Sequence, residues 1–174
     1  PAGIGMVQLW RDPDPDQNAV DLVPANTVPA GWHHVLDGLD AHDQPVSLIH
    51  EDSPALRRIA VFDVVVNNAD RKGGHVLEMS DGHRHGIDHG LTFHVEHKLR
   101  TVLWGWIGES LDTDELAGIA SVRTGLDGEL GAALAELLSL QEIAAITARC
   151  DRLLSERQFP APEGAMPTVP WPPF

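Results

Sequence analysis

The 174-residue sequence has a single cysteine, few basic residues and no long apolar segment. Cys150 alone cannot form an internal disulfide, and one free thiol suits a reducing cytoplasm, where we expect the protein. The lack of a run of about 18 apolar residues argues against a membrane-spanning helix, and the first residues carry no signal-peptide pattern. With 43% hydrophobic and 22% charged residues and no internal repeats, the composition indicates one globular domain.

The shortage of basic residues leaves a formal net charge of −14, from 12 Lys and Arg against 26 Asp and Glu. An acidic surface repels the phosphates of nucleic acids and the headgroups of anionic membranes. We therefore expect no nucleic-acid partner and disfavour a membrane partner. The same charge can equally serve solubility alone, because net charge governs solubility and association rather than fold.

Helix signals lie mostly in the second half of the chain. Two capping boxes, which start at Asp112 and Ser139, predict helix starts, and Ser53 followed by a proline predicts a third. Apolar spacing adds two further helices. The expected helices cover residues 53–67, 98–106, 112–123, 129–138 and 139–156.

Strand signals are fewer. Residues 4–10 have the apolar composition of a short buried strand. Residues 11–30 carry four prolines and are expected to form a loop, and residues 31–52 an irregular segment. Residues 75–79 and 84–88 flank a Ser-Asp-Gly turn, which predicts a β-hairpin.

The last stretch of the chain, residues 159–174, holds six prolines. Proline cannot donate to a helix or a sheet, so this tail is expected to be extended or disordered. Trp171 and Phe174 are the residues that could dock it on the domain.

The most informative stretch is residues 67–90, NNADRKGGHVLEMSDGHRHGIDHG. Asp70 precedes Arg-Lys-Gly-Gly, and Asp88 follows 18 residues later (88 − 70) in Ile-Asp-His-Gly. The two glycines allow a sharp turn and a close approach to phosphates. Two acidic residues joined by a hairpin are typical of a kinase-type site, in which one Asp handles the acceptor hydroxyl and the other binds the metal. Taken singly, each Asp could equally be a turn or capping residue.

These loops resemble those of the phosphatidylinositol 3-/4-kinase-like superfamily, whose members carry Asp-Arg-His-x-x-Asn and Ile-Asp-Phe-Gly. The runs IGMVQLW, NNADRKGGHVL and GIDHGLTFHVEHKLRTVLWGW more closely resemble an actinobacterial family described by its similarity to those kinases. The resemblance implies a mostly helical α+β fold, namely a protein-kinase-like C-lobe with a small hairpin between its catalytic and metal-binding loops. It divides the chain into a C-lobe (1–158), with a hinge strand (1–10), the two loops (67–90) and a helical scaffold (98–157), and a Pro-rich tail (159–174).

The resemblance also implies a role for each matching residue. Asp70 would orient or deprotonate the acceptor, and Lys72 would contact the γ-phosphate. His75, at the position of the metal-binding Asn, and Asp88 would bind the metal. The expected reaction transfers the γ-phosphoryl group of ATP, with Mg²⁺ or Mn²⁺, to a hydroxyl of an unidentified protein or small molecule. The residues expected to contact the nucleotide are Gln8, Leu9, Trp10, Gly73 and Gly74.

An intact kinase-like domain also has an N-lobe with a phosphate-covering loop and a lysine that holds the phosphates. Residues 1–10 leave no room for either feature. Because the chain starts at Pro1 with residues typical of a domain interior, we expect a fragment or processed product whose partner is an N-lobe segment.

Two other functions remain open at this point. His75 in place of the superfamily's Asn, together with the absent N-lobe, suits a non-catalytic pseudokinase scaffold. Histidines crowd into 23 positions (97 − 75 + 1) and could instead bind Zn²⁺ or another transition metal, in a hydrolase or a metal-binding protein. These histidines are His75, His83, His85, His89, His94 and His97.

Overall fold

The computed structural model describes residues 8–164 and 167–174. The chain forms an α+β fold in which a three-stranded antiparallel sheet precedes the first helix and a short hairpin follows it. The strands are β1 (Val20–Pro24), β2 (Trp32–Leu39), β3 (Pro45–Glu51), β4 (Val76–Glu78) and β5 (Arg84–Gly86). The helices are α1 (Pro54–Val66), α2 (Thr113–Leu126), α3 (Glu129–Leu134) and α4 (Leu140–Glu156), with a 3₁₀ turn at Gly73–His75. The α+β class expected from the sequence is confirmed.

The three-stranded sheet corrects the loop and irregular segment predicted over residues 11–52 where β1, β2 and β3 lie. Residues 11–19 and 25–31 contain no helix or strand, as expected of a loop. Strand β3 is central and pairs with β1 on one side and β2 on the other. Its residues 47–50 are buried, whereas β2 is mostly exposed. Pro24 and Pro45 lie at strand ends, where a missing N–H is tolerated. Strands are usually recognised by alternating apolar and polar residues. The polar composition of the edge strand β2 and the prolines at strand ends weaken that pattern here.

Helix α1 begins and ends where the sequence predicts. The Ser53 hydroxyl accepts a hydrogen bond from a first-turn N–H, and Pro54 is the first helical residue. Asn67 ends the helix with a left-handed φ of 58°, a conformation that asparagine tolerates. The capping boxes at Asp112 and Ser139 also form and start α2 and α4. The hairpin β4–β5 is likewise confirmed.

Residues 98–106 form no helix, contrary to the prediction. The N–H of Val102 donates to the Arg71 carbonyl at 3.1 Å, and the N–H of Thr101 donates to the Thr168 carbonyl at 3.0 Å. The backbone partners of this segment are therefore distant in sequence, not one helical turn away. Buried apolar side chains at helix-like intervals misled the prediction. They are Leu99, Val102, Leu103 and Trp106.

The predictions for the two ends of the chain fall only partly on residues that the structure describes. Most of the hinge strand expected at residues 1–10 falls on residues 1–7, outside the described part, and residues 8–10 have no regular structure. In the tail, residues 165 and 166 also lie outside the described part, and the remainder of 159–174 contains no helix or strand. Phe159, Pro160 and Pro170 of the tail are nevertheless buried.

A single apolar core joins the sheet to α1, α2 and α4. The tail contributes Phe159 to it, whose ring centre lies 5.8 Å from that of Trp106. Within the described ranges, none of the helices has the length and apolarity needed to cross a membrane. The largest fully buried apolar side chains include Trp106, Leu48, Ile49, Leu56 and Ile119.

A buried histidine connects β3 to the segment 98–106. His50 donates from Nδ1 to the Glu51 carbonyl at 2.8 Å, so its Nε2 accepts the N–H of Gly105 at 2.9 Å. A Cβ at position 105 would collide with the side chains of His33 and His50, so only glycine fits there. Burial lowers the pKa of His50 to about 4, and the ring is neutral at pH 7.

We expect the free energy of unfolding to fall by roughly 2 kcal/mol between pH 7 and pH 5 because of His50. In the unfolded chain this ring binds a proton near pH 6.5, whereas in the folded chain it binds one only near pH 4. Acid in this window therefore favours the unfolded state. Urea denaturation at the two pH values measures the change.

Two variants assign this pH dependence to the buried ring. His50→Gln keeps an acceptor for the Gly105 N–H but has no ionisable group, so its stability should change less with pH. His42→Gln removes a histidine whose side chain is 87% exposed and should behave as the wild type does. The same pH dependence in all three proteins would contradict this assignment.

Candidate functional site

The end of α1 fixes the start of the candidate catalytic loop through two buried asparagines. The side-chain amide of Asn67 donates to the carbonyls of His94 and Glu96 at 2.8 and 2.7 Å. Asn68 accepts the N–H of Asp70 at 3.0 Å through its side-chain oxygen. Both asparagines therefore serve as scaffold, and Asp70 follows them at the point where the chain returns to a partly exposed position.

Arg71 is the organising residue of the loop. Its side chain is fully buried and makes two hydrogen bonds to the Asp63 carboxylate, at 2.7 and 2.8 Å. Its Nη1 donates to the carbonyls of His75 and Ile87, at 2.8 and 2.9 Å. One guanidinium thus ties together α1, the candidate catalytic loop and the end of the hairpin.

The structure brings His75 and Asp88 together. His75 Nδ1 lies 2.9 Å from the carbonyl oxygen of Asp70, which can only accept, so Nδ1 carries the proton. Its Nε2 faces the Asp88 carboxylate, with 3.5 Å between Nε2 and Oδ2. Asp88 has a left-handed φ of 53°, and its side chain is 63% exposed. An imidazole nitrogen and a carboxylate oxygen therefore converge at an accessible position.

Asp70 and Lys72 are both partly exposed, and their backbone carbonyls accept hydrogen bonds from His75 Nδ1 and from the His75 N–H, respectively. Of the two candidate phosphate-contacting glycines, Gly74 is exposed, whereas Gly73 is buried. The N–H of Gly73 donates to the carbonyl of Pro173 at 2.8 Å. Only Gly74 therefore presents an open face at this loop.

A cavity of about 480 Å³ brings the candidate hinge segment beside the hairpin. Leu77 of β4 and Ile87, which directly precedes Asp88, form one wall. Of the lining residues, Ile87 is the nearest in sequence to Asp88. The opposite wall and rim are Gln8, Leu9, Trp10, Arg11 and Pro13.

His89, next to Asp88, packs against α1 rather than joining the site. Its Nε2 accepts a hydrogen bond from Arg71 at 3.0 Å, and its ring centre lies 5.1 Å from that of Phe62. Burial and then the positive charge of Arg71 lower the pKa of His89, so the ring is neutral at pH 7.

The other histidines of this region do not assemble a metal centre. The rings of His83 and His85 lie 4.2 Å apart on the hairpin, and burial followed by the proximity of His83 lowers the pKa of His85. Across residues 8–164 and 167–174, no three His, Cys, Asp or Glu side chains are arranged to hold a metal ion by themselves. A metal bound by protein ligands alone therefore has no support in this part of the chain.

Sequence reasoning missed the scaffold of the site. It identified Asp70, His75 and Asp88 but gave no role to Asp63, Arg71 or the two asparagines. A signal was present, because Asp63 interrupts an otherwise apolar face of α1, and a buried charge of this kind requires a partner.

Comparison with known proteins adds one similarity. Protein Rv2133c of Mycobacterium tuberculosis is 47% identical over 183 residues, in a match that covers 100% of this chain and 66% of that protein. The chain thus spans about two thirds of the length of this relative, whose name states no activity. No family model and no solved structure matches the sequence.

Proposed function

We propose that the chain is the C-lobe of a phosphotransferase of the phosphatidylinositol 3-/4-kinase-like type. It would transfer the γ-phosphoryl group of ATP to a hydroxyl of a protein or a small molecule. One observation carries the proposal: His75 and Asp88 converge at 3.5 Å, and Ile87, which directly precedes Asp88, lines an apolar cavity together with residues of the segment 8–13. An adenine ring requires an apolar surface, and its metal-bound triphosphate requires ligands for the cation near that surface.

The donor atoms of the pair suit a divalent cation. Two neighbouring ligands at about 2.1 Å from a cation lie about 3 Å apart, close to the 3.5 Å between His75 Nε2 and Asp88 Oδ2. Residues 8–164 and 167–174 supply no third protein ligand here, which is compatible with this use because nucleotide-bound Mg²⁺ takes its remaining ligands from phosphates and water. An imidazole ligand favours Mn²⁺ over Mg²⁺. When bound, the cation would neutralise charge on the β- and γ-phosphates.

The remaining steps fall to residues of the chain. Asp70, whose side chain is partly exposed and whose carbonyl contacts His75, would orient the acceptor hydroxyl or take its proton. Lys72 would add positive charge at the γ-phosphate. Leu77 and Ile87 would hold the adenine against the segment 8–10. The other half of the cleft would come from an N-lobe segment.

We expect Asp88→Asn to reduce metal-dependent ATP affinity by about 100-fold, because it removes the only carboxylate of the pair. Calorimetric titration of ATP with Mg²⁺ and with Mn²⁺ measures the affinity, on this chain and on a longer version that carries the N-lobe. Asp81→Asn is the matched control, since Asp81 lies on the exposed hairpin turn. Metal-independent ATP binding, or equal affinity in both variants, would contradict the proposal.

A pseudokinase scaffold is the second candidate, favoured by the imidazole at position 75, where the superfamily has an Asn. It predicts the same metal-dependent binding without phosphoryl transfer. Measuring ADP formation alongside binding separates the two candidates.

A further inference from the structure

The tail that the sequence leaves without a role binds back onto the candidate catalytic loop. Residues 168–174, called the strap here, are anchored at their start by Thr168. Its carbonyl accepts the N–H of Thr101 at 3.0 Å and the indole N–H of Trp104 at 2.9 Å. Pro170 follows and is among the fully buried side chains. The strap is therefore fixed to the segment that pairs with Arg71.

The far end of the strap reaches the loop itself. The Pro173 carbonyl accepts the N–H of Gly73 at 2.8 Å, and the Phe174 ring lies directly on Gly73. A Cβ at position 73 would lie 2.5 Å from Phe174 Cε1 and 2.7 Å from Cδ1, so a side chain there would displace the ring. Glycine at this position leaves the space that the aromatic ring occupies. Gly74 has no such constraint, since a Cβ there would meet nothing within 4 Å.

Gly73 is one turn away from the metal-binding pair. It starts the 3₁₀ turn Gly73–His75, in which the N–H of His75 donates to the Lys72 carbonyl at 3.2 Å. The His75 ring is then held by the Asp70 carbonyl on one side and faces Asp88 on the other. A displacement of Gly73 would therefore also move His75, because both residues belong to the same short turn.

We propose that the strap is a positioning element, in which Pro173 and Phe174 hold the turn that sets His75 against Asp88. The consequence for metal binding rests on the proposed function, whereas the geometric part does not. Trp171, which is 81% exposed, lies in the strap but outside this chain of contacts.

Phe174→Ala and Gly73→Ala should loosen the turn in the same way, the first by removing the ring and the second by displacing it. Backbone amide exchange at positions 73 and 75 should accelerate about tenfold. The NMR chemical shifts of the His75 ring and the Asp88 amide, at one fixed pH, should move in both variants. Mn²⁺ affinity should fall about tenfold, as it does when a residue that supports a metal ligand is lost.

Two controls separate positioning from general damage. Trp171→Ala should keep wild-type exchange, shifts and Mn²⁺ affinity, because this side chain is 81% exposed. Phe174→Tyr should restore all three, because the ring is 46% exposed and an added hydroxyl can reach water.

The outcomes distinguish the two proposals. Wild-type exchange and shifts in Phe174→Ala and Gly73→Ala would overturn the strap inference, as would altered exchange with unmoved His75 and Asp88 shifts. A wild-type protein that binds neither Mn²⁺ nor Mg²⁺-ATP would overturn the phosphotransferase proposal, and the exchange and shift data would still decide the role of the strap.

Discussion

Replacing Arg71 by methionine should lower the free energy of unfolding by about 3–5 kcal/mol, which corresponds to a melting temperature lower by roughly 10 °C. The side chains of Arg71 and Asp63 are 0% and 1% exposed. Removing the guanidinium leaves a carboxylate buried without its counter-charge. It also removes the side-chain donor to the Ile87 carbonyl and one of the two donors to the His75 carbonyl, which keeps the N–H of Ile87. Urea denaturation followed by circular dichroism measures the loss.

An exposed ion pair provides the control for this prediction. Arg123 pairs with Asp127 and Asp151, whose side chains are 71% and 56% exposed. Arg123→Met should therefore cost less than about 1 kcal/mol. The double variant Asp63→Ala with Arg71→Met should lose less stability than the sum of its two single variants, because neither charge is then left alone. Additive losses would show that the two residues do not act as a pair.

Asp70→Asn should reduce ADP formation by about 100-fold or more and leave metal-dependent ATP affinity within about threefold of wild type. The Asp70 side chain receives no hydrogen bond from any residue in the described part of the chain, so its amide replacement disturbs no scaffold contact. The backbone carbonyl that orients His75 is retained in this variant. A coupled assay for ADP measures turnover, and calorimetry measures affinity.

The comparison with Asp88→Asn makes this prediction specific. Asp88→Asn should lose binding, whereas Asp70→Asn should bind and fail to turn over. Wild-type turnover in Asp70→Asn would remove this residue from the mechanism. Absent turnover in the wild-type protein, with intact binding, would favour the pseudokinase scaffold.

Local sequence signals were sufficient to predict the elements whose ends are set by interactions between residues close in sequence. The starts of α1, α2 and α4 follow from one hydroxyl or carboxylate and the N–H groups that it caps. The hairpin follows from its Ser-Asp-Gly turn. In each case the decisive interaction spans a few residues, so the sequence contains all of it.

Elements stabilised by distant partners were not predictable in this way. The sheet depends on the pairing of β1 and β2 with a central β3. Strand β2 has too few apolar residues to be recognised as a strand from its sequence. The segment 98–106 has helical spacing, but its N–H groups bond to Arg71 and Thr168, which no local pattern reveals. Tertiary hydrogen bonds here prevail over periodicity.

The same distinction between contacts near and far in sequence applies to the candidate site. His75 and Asp88 converge because the hairpin between them returns the chain to its starting point, and this hairpin was predicted from local sequence. The buried pair of Asp63 and Arg71 and the contact of Phe174 with Gly73 were missed, since each joins residues whose pairing no short motif records.

The bond between Gly73 and Pro173 also bears on the order of folding. It joins residues 100 positions apart (173 − 73), so it can form only after a very long loop has closed. The helices and the hairpin depend on near neighbours and can form early. We therefore expect the loop around Gly73 to reach its final shape as one of the last events of folding, after the core has enclosed Phe159 and Pro170.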